Sequence, residues 1–225
     1  MMGYYIDLEK VTIDAYRIKL ESAYLPPSRR VLKDQLEERF GYFKSIGIDN
    51  VQALVQVLKK KDRLEELSNV PCLNADYLKI LLREINSTLP KPNKIADFSG
   101  IPEDAVMKLE EIGIKNTVKL YDKVLTLSDR QKLAHQTGIG DADILKLTKL
   151  TDLSRIKWVG VAFAQMLYAL EVDTVEKASK SDPVELHTRI NQLNKEKGFY
   201  KASIGLNDIR IFVDAAKETP IEVEY

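Results

Sequence analysis

Apolar residues recur at steps of three and four along nearly the whole chain, the period of an amphipathic α-helix. Val161, Phe163, Ala164, Leu167 and Leu170 form one such stripe, and Leu78, Leu81, Leu82 and Ile85 form another. Polar residues punctuate the pattern where helices should begin. Ser128 followed by Gln131 predicts a capping box. Asp182 before Pro183 predicts an N-cap with proline at the first helical position, and Glu185 suits a second box. Asn74, Asp49 and Asp173 are further N-cap candidates. Convincing two-residue alternation is absent. The tail Ile221-Glu222-Val223-Glu224-Tyr225 alternates, but it is short and has no partner strand. The pattern predicts an all-α chain of about a dozen short helices with short connections.

The clearest interruption is Leu89-Pro90-Lys91-Pro92-Asn93. Two prolines around a lysine favour extended backbone, so a lobe boundary is expected here, between residues 1–89 and 93–225. Internal recurrence is visible on both sides of it. Ile46-Gly47-Ile48-Asp49-Asn50-Val51 returns as Ile112-Gly113-Ile114-Lys115-Asn116-Thr117-Val118, and again as Leu170-Glu171-Val172-Asp173-Thr174-Val175. This reads as a helix ended by a left-handed residue, an apolar plug and a new N-cap. Gly47 and Gly113 suit the left-handed position, whereas Glu171 must find another cap or bear strain.

A second mark, a glycine followed by an aliphatic residue, opens helices at Gly100-Ile101-Pro102, Gly138-Ile139-Gly140, Gly160-Val161-Ala162 and Gly205-Leu206-Asn207. Pro71-Cys72-Leu73-Asn74 and Leu25-Pro26-Pro27-Ser28 are weaker members without the glycine. Three units fit, near 12–89, 93–150 and 151–217. The helix, tight glycine turn and second helix resemble the helix-hairpin-helix motif. Backbone N–H groups at such a turn can hold a phosphate oxygen, aided by the helix dipole, and they read backbone rather than bases.

The resemblance sharpens in the C-terminal lobe. Leu153 to Val161, Glu171 to Glu176, Pro183 to His187 and Ile190 to Asn194 look like the C-terminal half of a bacterial domain-of-unknown-function family of the helix-hairpin-helix superfamily. Ile95 to Leu150 looks like that family's N-terminal half, and Ala215 to Tyr225 suits its tail. Residues 1–89 look like a divergent extra copy. The resemblance implies tandem helix-hairpin-helix (SAM-like) repeats in two lobes and, by superfamily analogy, DNA binding. It carries over no catalytic residue.

The turns differ in their chemistry. Asp141 and Asp143 follow Gly140, while Pro102, which lacks an N–H, is followed by Glu103 and Asp104. Gly160-Val161 instead follows Arg155 and Lys157, and Gly205-Leu206 follows Lys201. The expected nucleic-acid contacts are therefore Arg155, Lys157, Gly160, Val161, Lys201, Gly205 and Leu206. Lys146 and Lys149 extend this basic cluster. The run Lys59-Lys60-Lys61-Asp62-Arg63 reads as a solvated helix cap. Trp158 suits base stacking in principle, but a lone tryptophan before a tight turn is expected to plug the core between hairpins.

Charge then narrows the picture. The chain holds 34 Lys+Arg and 34 Asp+Glu. The net charge is +1 over residues 1–89, +1 over 90–150 and −2 over 151–225. A blanket polycation is excluded. Two readings stand level. One is a non-enzymatic module binding duplex DNA independently of sequence, favoured by the hairpin pattern. The other is a protein–protein interaction or scaffold module with hairpins used only for packing, favoured by neutral charge and the acids beside two turns.

An enzyme is not expected. The sequence shows no P-loop, Rossmann fingerprint or nucleophile elbow, so neither cofactor nor small-molecule substrate is implied. His135 and His187 lack partners at ligand spacing, so no metal site is expected. A single cysteine, Cys72, rules out an internal disulfide and suits a cytoplasmic setting. The first residues lack a signal-peptide pattern, and no apolar run approaches the length of a membrane helix.

Overall fold

The computed structural model describes residues 3–225. It is all-α: among the described residues the only β-pairings are isolated bridges, Thr12 with Asn50 and Lys94 with Asn116. The chain divides into two compact units. One is Ile6–Leu89, and the other is Pro90–Tyr225 together with residues 3–5.

The first unit contains α1 (Ile13–Ser22), a 3₁₀ segment (Pro27–Lys33), α2 (Leu36–Ser45), α3 (Val51–Leu58), α4 (Lys61–Ser68) and α5 (Ala75–Asn86). The stripe on α5 points inward as its period requires, with Tyr77, Leu78, Leu81 and Ile85 buried. Phe40 and Phe43 complete the core edge to face, ring centres 5.7 Å apart. Arg39 is buried beside them. Its guanidinium lies 3.8 Å from the Tyr77 ring centre and donates to the carbonyls of Cys72 and Asp34 at 2.8 and 2.9 Å. Those bonds compensate the loss of water around the charge.

The second unit contains α6 (Glu103–Glu111), α7 (Thr117–Tyr121), α8 (Leu127–Thr137), α9 (Asp141–Leu153), α10 (Val161–Ala169), α11 (Val175–Lys180), α12 (Pro183–Lys197) and α13 (Leu206–Glu218). One continuous apolar core runs through it, from Ile95 and Phe98 to Phe212 and Ala216.

The three copies of the first sequence mark adopt one geometry. The amides of Ile48, Ile114 and Val172 donate to the carbonyls of Phe43, Leu109 and Leu167 at 3.0, 2.8 and 3.0 Å. Each bond spans five residues and closes a Schellman motif around the buried apolar plug. The preceding residue is left-handed in all three, with φ of 82° at Gly47, 82° at Gly113 and 60° at Glu171. Glu171 therefore takes the glycine conformation despite its Cβ.

The next helix is then capped by Asn50, Asn116 and Thr174, whose side chains accept from the amides of Ala53, Lys119 and Lys177. The caps fall one residue after the expected Asp49 and Asp173, because the plug needs one extended residue before the chain turns into the helix. The box expected at Ser128 and Gln131 forms instead between Thr126 and Asp129, since Ser128 already lies inside the first turn of α8. Asp182 caps α12 as expected, accepting from the amides of Val184 and Glu185, both at 2.9 Å.

One substitution distinguishes the third mark. The amide of Val51 donates to the Val11 carbonyl and that of Thr117 to the Asn93 carbonyl, each at 2.9 Å. The matching amide of Val175 donates instead to the Asp152 carboxylate, also at 2.9 Å. A buried side chain thus takes the part of a backbone carbonyl. Burial pushes the Asp152 carboxyl up, and the Val175 amide and Arg155 oppose that rise.

Arg155 bonds Asp152 at 2.9 Å and Glu222 at 3.3 Å, and its guanidinium lies 4.5 Å from the Tyr121 ring centre. The Tyr225 hydroxyl donates to Asp152 at 3.1 Å, and Glu222 accepts from the Tyr121 hydroxyl at 2.5 Å. The C-terminal tail is thereby held without forming a strand. Its Glu224 amide donates to the Leu125 carbonyl at 2.8 Å, and Val223 is buried against Tyr4 and Tyr121.

Candidate functional site

The two turns expected to bind, before α10 and before α13, flank a single cleft within the second unit. The first wall is the loop after α9. Ile156 and Val159 are buried and anchor it to the core. Trp158 lies between them with φ 66°, and the left-handed residue turns the indole outward. Its exposure is 45%, so it is not the core plug expected from sequence. Ile156 and Val159 fill that role. The Lys157 ammonium lies 4.5 Å from the centre of the Trp158 ring, a cation–π contact.

The second wall is the loop after α12, where Gly198 is left-handed (φ 69°) and ends the helix. Two asparagines on α12 hold this loop in place of secondary structure. Asn194 donates to the carbonyls of Tyr200 and Ala202, both at 3.1 Å, and accepts from the Tyr200 amide at 2.8 Å. Asn191 donates to the carbonyl of Ile204 and accepts from its amide, both at 2.9 Å. Tyr200, 39% exposed, lines the cleft from this loop.

The cleft has a volume of about 200 Å³. Phe163 and Phe212 line it and meet edge to face, ring centres 5.1 Å apart. Ile204 and Ile209 add aliphatic surface, while Lys157 and Asp208 are the charged groups at its edge. Asp208 bears directly on the expected phosphate site. It stands at the third position of α13, and a methyl group placed on Gly205 would lie 3.1 Å from its carboxylate. A carboxylate there complements the positive end of the helix dipole and opposes a phosphate. The N-terminal turn of α9 is similar, with Asp141 and Asp143, and that of α6 carries Glu103 and Asp104. The first turn of α10 holds no acid, and the space beside Gly160 is open.

The remaining expected contacts fall in different places. Arg155 is a correction: its side chain is 1% exposed, and its charge is satisfied inside the unit by Asp152 and Glu222. It presents no cation to a phosphate. Lys146 donates to the Gly100 carbonyl at 2.8 Å, and Lys149 pairs with Asp173, so the basic cluster disperses into structural contacts. Lys157 is half-buried at the cleft, Lys201, Gly160 and Gly205 are exposed, and Val161 and Leu206 are partly buried.

Sequence reasoning missed Tyr200, Asn191 and Asn194. The asparagines carried a signal, since they alternate with Ile190 and Leu193 on α12 and two amides beside an apolar stripe need buried partners.

Among the described residues no group of three or more histidine, cysteine, aspartate or glutamate side chains could hold a metal ion. No helix among them is long and apolar enough to cross a membrane. A family model described as a domain of unknown function (DUF4332) matches residues 99–219, which include the whole cleft. No curated protein and no solved structure matches the chain.

Proposed function

The chain belongs to this family of domains of unknown function, and we propose that it is a non-enzymatic protein-interaction module. In this reading its turns are helix-hairpin-helix elements, its two units are tandem-hairpin lobes, and most hairpins serve packing. The observation that carries the proposal is the cleft between the two most promising turns. It offers exposed aromatic rings over an apolar floor, not a row of cations. Apolar centres with tryptophan and tyrosine at the edge are where protein interfaces concentrate their binding energy. Carboxylates in the first turns of α6, α9 and α13 weigh against phosphate at those three helix ends.

The test is a fluorescence-anisotropy titration of labelled duplex DNA at low and moderate salt. The expected result is no saturable binding at either. Binding that weakens steeply with salt and is lost in a Lys157→Glu/Lys201→Glu double variant would overturn the proposal. One observation favours that second reading, sequence-independent DNA-backbone binding. The α10 turn at Gly160-Val161 lacks a first-turn acid and follows Lys157.

A further inference from the structure

We propose that five lysines around the start of α7, Lys91, Lys94, Lys115, Lys119 and Lys123, form a docking surface for an acidic segment of a partner polypeptide. This rests on the protein-interaction reading above and adds a second surface to it, since none of the five lines the cleft.

The backbone brings these lysines together. The Ile95 amide donates to the Lys115 carbonyl at 3.1 Å and the Thr117 amide to the Asn93 carbonyl at 2.9 Å, which pairs Lys94 with Asn116 in an antiparallel bridge. Lys91 shortly precedes that bridge, Lys115 adjoins it and Lys119 stands on α7. The Lys123 amide bonds the Leu120 carbonyl at 2.9 Å and continues the turn. All five residues are exposed, and among the described residues none of their ammonium groups is hydrogen-bonded or ion-paired.

The other two marks supply an internal control. In the first unit the Ile13 amide donates to the Asp49 carbonyl at 3.0 Å and the Val51 amide to the Val11 carbonyl at 2.9 Å, pairing Thr12 with Asn50 in the same way. Residues 91–97 and 115–123 hold five lysines and two aspartates, whereas the equivalent 9–15 and 49–57 hold one lysine and three acids. In the third mark, residues 173–181 hold two lysines and two acids, and they pair. Lys177 meets Asp173 at 2.7 Å and Lys180 meets Glu176 at 2.5 Å. One backbone thus carries three charge patterns, so the fold does not require the lysines around α7. Like charges left uncompensated repel one another and do not help folding. A partner of opposite charge accounts for their gathering on one bridged pair of segments.

The surrounding chemistry separates the classes of anion. The two segments contain no arginine and no glycine, and their one aromatic ring, Tyr121, is buried. They therefore lack the guanidinium forks, open turns and stacking faces that hold nucleic acids. Asp97 and Asp122 stand among the lysines and oppose an evenly charged phosphate backbone. A polypeptide can set carboxylates against the lysines and neutral residues against the aspartates.

The whole chain is titrated into a short fluorescein-labelled peptide of alternating glutamate and serine, read by anisotropy at low and moderate salt. Saturable binding is expected at low salt, weakening as salt screens the charges, and none is expected for the peptide with glutamine in place of glutamate. Lys94→Glu/Lys119→Glu should weaken binding about tenfold or more, with the thermal midpoint unchanged or raised. Lys94→Arg/Lys119→Arg should retain it. Lys59→Glu/Lys60→Glu makes the same charge change at exposed lysines of the first unit and should alter binding little. No saturation at low salt, or an equal loss in the Lys59/Lys60 variant, would overturn the docking surface. With a negative duplex titration, that failure leaves the broader protein-interaction reading standing. Tighter binding of a DNA duplex than of the peptide, lost in Lys94→Glu/Lys119→Glu, would overturn both.

Discussion

Glu171→Gly is predicted to stabilise the protein. Glu171 holds φ 60° at the position that Gly47 and Gly113 occupy with φ 82° in the other marks. Its amide bonds the Tyr168 carbonyl at 3.0 Å, and its carbonyl accepts from Lys177 at 3.1 Å. Both bonds are made by backbone atoms and survive the substitution. The side chain is exposed, so its loss removes no core packing. Relief of left-handed strain is worth roughly 1–2 kcal/mol. The greater freedom of glycine in the unfolded chain costs roughly 0.5–1 kcal/mol. The net expectation is a gain of about 0.5–1 kcal/mol, or roughly 1–4 °C in Tm for a chain of this size. Gly113→Ala should act oppositely and by a similar amount. A Cβ there meets nothing within 4 Å, so the change isolates the backbone contribution. Urea titrations followed by Trp158 emission read both, since Trp158 belongs to the same unit. A lowered midpoint for Glu171→Gly, or a raised one for Gly113→Ala, would refute the equivalence of the marks.

Arg155→Met should destabilise the second unit by about 3–5 kcal/mol in the same titration, because Asp152 and Glu222 would lose their buried counter-charge. Burial pushes the Asp173 carboxyl up, but hydrogen bonds from Lys149 and Lys177 outweigh it and hold the group below its ordinary value. Its contribution is therefore present above the unfolded carboxyl range, about pH 4, and is lost as the pH falls through the lowered native value. Lys149→Met should accordingly lose less stability than the parent between neutral pH and pH 3, measured as the difference in urea midpoints. Asn194→Ala should speed amide exchange at Tyr200 and cost about 1–3 kcal/mol, by leaving loop groups unsatisfied. Trp158→Gly should leave the thermal midpoint unchanged or slightly raised, because relief of the left-handed backbone offsets the lost ring contacts.

Local signals in the chain read well where one residue decides the backbone. Gly47 and Gly113 announced left-handed caps, and Asp182 before Pro183 announced a helix start. Cap positions read from composition alone slipped by one residue at Asp49 and Asp173. Asparagine and aspartate both cap helices, and only the geometry of the preceding plug decides which of two neighbours turns the corner. The site was harder to see. Arg155 and Lys157 are two residues apart, yet one is sealed in an ionic network and the other lies at a cleft. That network draws on Asp152, Glu222 and Tyr121, partners no local window contains. Trp158 misled for a related reason. Hydrophobicity argued for burial, but Ile156 and Val159 took the inward positions and the left-handed backbone sent the larger ring out.

The same geometry explains how an array of glycine turns remains electrically neutral. A helix N-terminus exposes unpaired N–H groups and a partial positive charge, and something must satisfy them. In α13 the chain supplies its own anion, Asp208, beside Gly205, and in α9 Asp143 stands at the same position after Gly140. A carboxylate so placed complements the positive end of the helix and opposes a phosphate at the same turn. The α10 turn is the exception, and there the nearest cation, Lys157, is drawn over an exposed indole. Sequence-independent DNA binding through several hairpins needs several open turns on accessible cationic loops. Of the four glycine turns, with Arg155 buried, Lys146 bound to Gly100 and Lys149 paired to Asp173, the α10 turn alone lacks a first-turn acid. The protein-interaction reading proposed above rests instead on the exposed rings of Trp158 and Tyr200 beside the apolar residues between α10 and α13.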